Sequence, residues 1–251
     1  MLIALWFLFG LAMGSFVNVV VVRLAAGEGL GGRSHCRNCG REIPWYHNLP
    51  LFSFAYLRGR CGACGAAISW QYPLVELACG VLFALAWGSA GGSYLDAFSF
   101  AVLSAYAVAL FSFDLRFGVL PDALTLSGAG VLALLALARG FPLAAVLLGV
   151  AVGGAFFAIQ YVVSRGRWIG GGDVRLGLLI GAALGWPNVA VALALAYLSG
   201  SLVALWLLAS GKRRLGGEVP FGTFLSAATV VAALWGDGIL TWYLGLVGGG
   251  R

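Results

Sequence analysis

The sequence has few charged residues and almost no histidine. Only 10% of its 251 residues are Asp, Glu, Lys or Arg, two are His, and 61% are hydrophobic. So few polar side chains cannot cover the surface of a soluble protein of this length. Because histidine is so scarce, a serine nucleophile would have no evident partner, and this disfavours Ser-His chemistry. The mean hydropathy of +0.98 instead indicates a polytopic membrane protein.

Long apolar runs predict an all-α polytopic membrane protein with about eight transmembrane helices. The runs cover approximately residues 2–22, 73–90, 94–113, 122–138, 142–163, 174–186, 188–209 and 220–247. The run at 174–186 is short for a hydrocarbon core of about 30 Å, so this helix is expected to be tilted or extended at one end.

Basic residues are distributed unequally between the two sides of the predicted membrane. If the N-terminus is outside, the inner side collects Arg23, Arg33, Arg37, Arg41, Arg58, Arg60, Arg116, Arg165, Arg167, Arg175, Lys212, Arg213 and Arg214, and the outer side only Arg139 and Arg251. Lys and Arg near helix ends favour the cytoplasmic side. The net charge of +6 therefore indicates membrane topology, and the basic side can also contact anionic membrane lipids. No nucleic-acid partner is expected, because no basic groove is interleaved with aromatic residues.

Hydropathy falls sharply in one segment, which divides the chain into three predicted domains. Residues 1–23 form the first transmembrane helix, residues 24–72 a small cytoplasmic module between helices 1 and 2, and residues 73–251 the main membrane domain. A module of this size with little apolar content needs a covalent or metal crosslink to fold.

Two Cys-x-x-Cys pairs in this module predict a zinc-ribbon-like metal site. The pairs are Cys36 with Cys39 and, after 21 intervening residues, Cys61 with Cys64. Each pair is typical of a tight turn that directs two thiolates at one tetrahedral zinc ion. Gly40 and Gly65 follow the pairs, where the backbone of such turns often needs positive φ. Two disulfides are the alternative, which the reducing cytoplasmic side disfavours.

Several polar or small residues within the apolar runs predict contacts between helices. Asn18 is expected to hydrogen-bond a neighbouring helix, and the spacing of Gly10 and Gly14 permits close helix approach. Glu76 lies one turn into the second run, where a carboxylate needs a partner. It is expected either to pair with an arginine such as Arg23 or to contact a ligand.

Aspartates at the inner ends of the runs are the candidate catalytic groups. Asp114 ends the third run, and Asp173 follows three glycines at the start of the sixth. Asp122 follows Pro121 and is interpreted mainly as a helix cap. A capping role is also open for Asp173. If Asp114 and Asp173 meet at one membrane face, they share a proton, so that one acts as base toward water and the other as acid toward a peptide carbonyl.

These residues resemble the motifs of the bacterial type IV prepilin peptidases, a family of GxGD membrane aspartyl proteases also called leader peptidase/N-methyltransferases. The matching blocks are Gly14-Ser-Phe-Val-Asn18, the four cysteines, Trp70-Gln-Tyr-Pro-Leu-Val-Glu76, Asp114 upstream of Leu120-Pro121-Asp122, Gly170-Gly171-Gly172-Asp173, and Val219-Pro-Phe-Gly-Thr-Phe224. The resemblance implies that Asp114 and Asp173 are the catalytic pair. It also implies cleavage of prepilins or pseudopilins, the substrates of type IV pilus and type II secretion systems, with the active site facing the cytoplasm.

The resemblance further implies N-methylation of the new N-terminus with S-adenosylmethionine. The chain has no glycine-rich strand-turn-helix that would bind a nucleotide in the common way, so no methyl-donor residues are predicted. Arg175 stands where many relatives have Lys, and Thr223 where Pro is more usual. The alternative function is a zinc-ribbon membrane scaffold or a transporter subunit without peptidase activity.

Overall fold

The computed structural model of the protein describes residues 1–211 and 220–248. Within them, the helices are α1 (Leu2–Ala25), α2 (Phe52–Tyr56), α3 (Gln71–Ser89), α4 (Tyr94–Phe117), α5 (Asp122–Ala138), α6 (Leu143–Ser164), α7 (Gly171–Leu184), α8 (Asn188–Ala209) and α9 (Phe221–Gly248), with a 3-10 turn at Trp45–His47. Six helices are long and apolar enough to cross a membrane, and α5 and α7 are shorter. The predicted all-α, multi-pass membrane fold is confirmed.

The helix boundaries differ from the apolar runs mainly at the two candidate aspartates. Helix α4 continues to Phe117, so Asp114 lies inside its last turn. Helix α7 begins at Gly171, so Asp173 lies inside its first turn. A hydropathy boundary marks where polar side chains begin, whereas the backbone hydrogen bonds continue past it because they need no apolar side chain. The basic residues at 212–214 and Arg251 lie outside the described residues.

The first compact unit of the chain, Met1–Ala109, is built on the packing of α1 against α3. A Cβ at Gly10 would lie 2.5 Å from a carbonyl oxygen of α3, and one at Gly14 would lie 2.6 Å from the Cα of Glu76. The amide of Asn18 donates a hydrogen bond to the Tyr72 carbonyl at 3.1 Å. Both predictions, the close approach and the interhelical hydrogen bond, are confirmed, and the contacts run in opposite directions along the two helices, which are therefore antiparallel.

Glu76 has a different partner from the arginine that the sequence suggested. Its Oε2 accepts a hydrogen bond from the backbone N–H of Leu51 at 2.8 Å, and Ser15 also donates to it. Arg23 is buried, but its guanidinium donates to the carbonyl oxygens of residues 29–33. The expected pairing of Glu76 with Arg23 is wrong, because backbone groups of the intervening loop satisfy both side chains.

The second compact unit, Leu110–Arg251, contains a direct backbone contact between α6 and α7. A Cβ at Gly181 would overlap the carbonyl oxygen of Gly149, and one at Gly177 would overlap that of Gly153. Glycine at these positions lets the two helices approach until their backbones touch. This contact fixes α7, which carries Asp173, against a long transmembrane helix.

We expect Gly181→Ala to lower the free energy of unfolding by about 1–3 kcal/mol, because the added methyl group must push two backbones apart. Thermal unfolding of the purified protein in detergent measures the change. The matched control is Gly130→Ala in α5, where a Cβ meets no atom within 4 Å. A Gly181→Ala protein as stable as the control variant would show that α6 and α7 are not closely packed.

Candidate functional site

Asp114 is held by the first backbone N–H groups of α9. The side chain lies in the last turn of α4, and the residue is only 6% exposed. Its Oδ2 accepts a hydrogen bond from the N–H of Thr223 at 2.8 Å, and the N–H of Gly222 also donates to the carboxylate. The first N–H groups of a helix have no partner within it, and they stabilise negative charge. The start of α9 therefore forms a binding site for this carboxylate.

Asp173 lies at the third position of α7. Its Oδ2 accepts a hydrogen bond from the backbone N–H of Gly170 at 3.0 Å, as the third residue does in a capping box. The capping role that the sequence left open is therefore present. A carboxylate that accepts one hydrogen bond still has lone pairs for a second partner, so capping does not preclude chemistry.

Leu120 lies between the start of α7, which carries Asp173, and the start of α9, which holds Asp114. A Cβ at Gly172, directly before Asp173, would lie 3.0 Å from the Cβ of Leu120. A Cβ at Gly222, which donates to Asp114, would lie 3.2 Å from the Cδ1 of the same leucine. The two carboxylates are close enough for their charges to interact. The structure thus places Asp114 and Asp173 near each other at neighbouring helix ends.

An ion pair joins the start of α5 to the start of α7 beside these helix ends. The Nη1 of Arg175 donates to the Oδ2 of Asp122 at 2.8 Å. The N-cap of α5 is Pro121, and Asp122 makes no capping hydrogen bond, so its interpretation as a cap is wrong. Its carboxylate faces the cation of α7 instead. Because both side chains are partly exposed, the pair contributes only about 0–1 kcal/mol and mainly orients the helix ends.

Aromatic side chains cover one side of the helix ends near the aspartates. The ring of Phe221, the first residue of α9, lies 4.9 Å from that of Tyr197 and 6.1 Å from that of Phe157. Phe157 is fully buried and contacts Gly177, one turn after Asp173. Such apolar rings exclude water, and electrostatic interactions between the acids are stronger where water is excluded.

Gly222 and Thr223 are the site residues to which the sequence analysis assigned no contact. A Cβ at Gly222 would lie 3.0 Å from both Cγ and Oδ2 of Asp114, so a larger residue would displace the carboxylate. The only sequence indication was the family-like block that contains them, of which Val219 lies outside the described residues. Their contact with Asp114 spans more than a hundred residues of chain, and no local pattern predicts it.

The four predicted metal-binding cysteines form a single cluster in the first unit. The Sγ atoms of Cys36, Cys39, Cys61 and Cys64 all lie within 4.8 Å of one another. The Sγ atoms of Cys36 and Cys64 are 3.9 Å apart, and all five cysteines are free thiols, which excludes the two disulfides. Four sulfurs at about 2.3 Å from one tetrahedral zinc ion would be about 3.8 Å apart. The cluster therefore fits one metal ion.

Two similar turns present these cysteines. Antiparallel bridges close the turns by pairing His35 with Glu42 and Arg60 with Ala67. Gly40 and Gly65, which follow the second cysteine of each turn, have φ of +68° and +71°. These values confirm the predicted positive φ at both glycines. Residues with a Cβ would be strained in this conformation, which explains why glycine occupies both positions.

Hydrogen bonds favour the thiolate form of two of the four cysteines, Cys36 and Cys64. The backbone N–H of Ala66 and then the side chain of Asn38 lower the pKa of the Cys64 thiol to about 6. Backbone N–H groups of Cys39 and Asn38 lower the pKa of Cys36. Because the thiolate is the form of cysteine that binds metal, these hydrogen bonds prepare the cluster for a cation.

Two family models match the chain, and together they cover both sites. The bacterial Peptidase A24 N-terminal domain matches residues 8–89, which include the cysteine cluster. The type IV leader peptidase family matches residues 98–205, which include Asp114 and Asp173.

Characterised relatives extend this similarity along the chain. The prepilin leader peptidase/N-methyltransferase of Klebsiella pneumoniae is 37% identical over 70% of this chain and 82% of its own length. The enzyme of that name from Myxococcus xanthus is 39% identical over 70% of this chain. The match covers 54% of that relative's length, so this chain spans only about half of it. That from Bacillus subtilis is 31% identical over 97% of this chain and 98% of its own length. No solved structure matches the chain. By these matches the chain belongs to the type IV leader peptidase family.

Proposed function

We propose that the protein is a prepilin leader peptidase in which Asp114 and Asp173 jointly hydrolyse the leader peptide bond. The observation that carries this proposal is that Leu120 contacts both the start of α7, which bears Asp173, and the start of α9, whose backbone N–H groups hold Asp114. Membership of the family and the names of the relatives support the reaction class. They do not favour a scaffold or transporter subunit.

The proposed reaction uses the pair as one base and one acid. The ionised carboxylate takes a proton from a water molecule as its oxygen attacks the scissile carbonyl carbon. The protonated carboxyl donates its proton to the carbonyl oxygen, which gives a tetrahedral diol. In the collapse of the diol, the newly protonated acid donates its proton to the leaving amine nitrogen, the other carboxylate takes a proton from a diol hydroxyl, and the C–N bond breaks as the carboxyl product forms. Each turnover restores one proton shared between the two acids, so Asp114 and Asp173 act as a unit.

The substrates of this reaction are proposed to be prepilins or pseudopilins, cleaved at the cytoplasmic face of the inner membrane. The names of the relatives support prepilins as the substrate class. The predicted topology places most arginines on the same side of the membrane as Asp114 and Asp173. This excess of positive charge supports the cytoplasmic orientation.

A second activity and a metal complete the proposal. The chain is proposed to N-methylate the new N-terminus with S-adenosylmethionine, because the relatives are named for that activity. Residues 24–72 are proposed to fold as a separate module around one structural zinc ion held by Cys36, Cys39, Cys61 and Cys64. The zinc would fix the two cysteine turns to each other.

Incubation of the detergent-purified protein with a prepilin and S-adenosylmethionine tests both activities in one measurement. Mass spectrometry separates the uncut prepilin, the cut product and the cut product with one added methyl group. We expect the methylated product, and the cut product without methylation when S-adenosylmethionine is omitted. An uncut prepilin under conditions where a relative cleaves it would contradict the peptidase proposal. A cut but never methylated product would contradict only the second activity.

A further inference from the structure

Five large aromatic side chains lie outside the transmembrane helices and are mostly exposed. They are Trp45, Tyr46, Phe52, Tyr56 and Trp70, with exposed fractions between 51% and 73%, and we call them the aromatic surface. They come from the 3-10 turn, from α2 and from the residue before α3. Soluble surfaces seldom expose so many large apolar groups together unless another surface covers them.

The module that carries the aromatic surface has no interior in which to bury it. Within residues 26–70, Ser53 is the only buried residue. Its hydroxyl donates to the carbonyl of Tyr46 at 2.9 Å and so ties the 3-10 turn to α2. Phe52 and Tyr56, one turn apart on α2, stack with ring centroids 6.4 Å apart. The aromatic residues of the turn and of α2 are therefore parts of one connected piece.

A single hydrogen bond sets the depth of this piece relative to a transmembrane helix. The N–H of Leu51, the residue before α2, donates to the Oε2 of Glu76 at 2.8 Å. Glu76 lies five residues after the start of α3 at Gln71, or about 7.5 Å along the helix axis. The headgroup region on each side of a bilayer is about 5–8 Å thick. With the start of α3 at the outer edge of the headgroup region, this hydrogen bond places the start of α2 at the depth of the headgroups rather than above them.

Charge in the module is also suited to a lipid surface. Residues 26–70 contain five arginines and two glutamates. Ion pairs join Arg33 to Glu42 and Arg37 to Glu28. Among the described ion pairs, none involves Arg41, Arg58 or Arg60, and the last two lie within four residues of the end of α2. Anionic phospholipid headgroups attract such cations.

We propose that the aromatic surface lies in the headgroup region of the bilayer on the side where α1 ends, and that Arg58 and Arg60 bind anionic phospholipid headgroups. Trp and Tyr favour this region because each has an apolar body and a polar tip. The module is tethered at one end by α1 and at the other by α3, which are antiparallel. Its aromatic residues can therefore reach the bilayer surface while both helices remain in place. This proposal does not depend on the peptidase activity.

Photocrosslinking of the full chain in lipid nanodiscs tests the proposal. Benzoylphenylalanine replaces Phe52 or Tyr56, the nanodiscs contain phosphatidylcholine with a minor fraction of phosphatidylglycerol, and intact-mass measurement after irradiation identifies the adducts. We expect lipid adducts at both positions, with phosphatidylglycerol enriched by about fivefold for each arginine that binds it. In the Arg58→Gln, Arg60→Gln variant, adducts persist but this enrichment disappears.

The matched control places the same probe at Ala63, which is exposed between Cys61 and Cys64 and lies outside the aromatic surface. We expect few lipid adducts there. Equal lipid labelling at Ala63 and Tyr56, or none at Phe52 and Tyr56, would overturn the proposal. Crosslinks of Phe52 or Tyr56 to a second copy of the chain instead of lipid would also overturn it, in favour of a protein interface. Monodispersity and metal content confirm that each labelled protein is folded.

Discussion

Replacing Asp114 or Asp173 with Asn is expected to lower the rate of leader cleavage by about 10²- to 10⁴-fold, the usual contribution of a general acid or base. An asparagine has nearly the same shape as an aspartate and keeps an oxygen that can accept a hydrogen bond from α9 or from Gly170. Its amide neither takes a proton from water nor gives one to the carbonyl. Single-turnover cleavage of a prepilin in detergent measures the rate.

A further expectation follows from the two acids acting as one unit. The double variant Asp114→Asn, Asp173→Asn should be no slower than either single variant, because removing either acid already stops proton sharing. The matched control is Asp237→Asn in α9, since an asparagine there can still accept the hydrogen bond from Asn188. This control should cleave at the normal rate. Retained cleavage by either single variant with intact helices would eliminate the proposed mechanism.

Removal of the metal by a chelator is expected to unfold the cysteine module and leave the transmembrane helices intact. A structural zinc site contributes about 10–16 kcal/mol to the folding of a small zinc-finger peptide, and this module has only one fully buried residue to replace it. The helices keep their own packing, such as the close contact between α1 and α3. Limited proteolysis reports cleavage within residues 26–70, and circular dichroism reports the helices.

Elemental analysis should find about one zinc ion per chain, as expected for a single four-thiolate site. The Cys36→Ser, Cys61→Ser variant removes one ligand from each turn and should lose the metal. Cys79→Ser is the matched control, because Cys79 is buried in α3 and does not belong to the cluster. Zinc retained by the double variant, or absent from the unmodified protein, would contradict the assignment.

Features that depend on nearby residues could be predicted from the sequence. The helices follow from long apolar runs, and the cysteine turns follow from pairs two residues apart with a glycine directly after each. The amide of Asn18 and the glycines of α1 could be assigned to a helix interface, because an apolar helix must satisfy its polar groups and can pack closely only at small residues. In each case the physical requirement lies within a few residues of the pattern.

The partners of individual polar side chains could not be predicted in this way. Glu76 was expected either to pair with an arginine or to contact a ligand, but it accepts a hydrogen bond from the backbone N–H of Leu51, which no side-chain pattern reveals. Asp122 was expected to cap a helix, but its carboxylate forms an ion pair with Arg175 of α7 instead. Backbone groups are the same at every position, so a sequence does not indicate which of them a carboxylate will meet.

The amino-acid sequence by itself determined the membrane-spanning helices and the four-thiolate cluster, because composition and short-range spacing dictate these features, and its motifs identified Asp114 and Asp173 as the candidate catalytic pair. Only the tertiary structure decided that the start of α9 holds Asp114, that Leu120 contacts the helix starts beside both acids, and that α2 lies beside the first turns of α3. These contacts join residues far apart in the chain. They depend on the packing of whole helices, which decides the backbone N–H groups and glycine surfaces that each side chain meets.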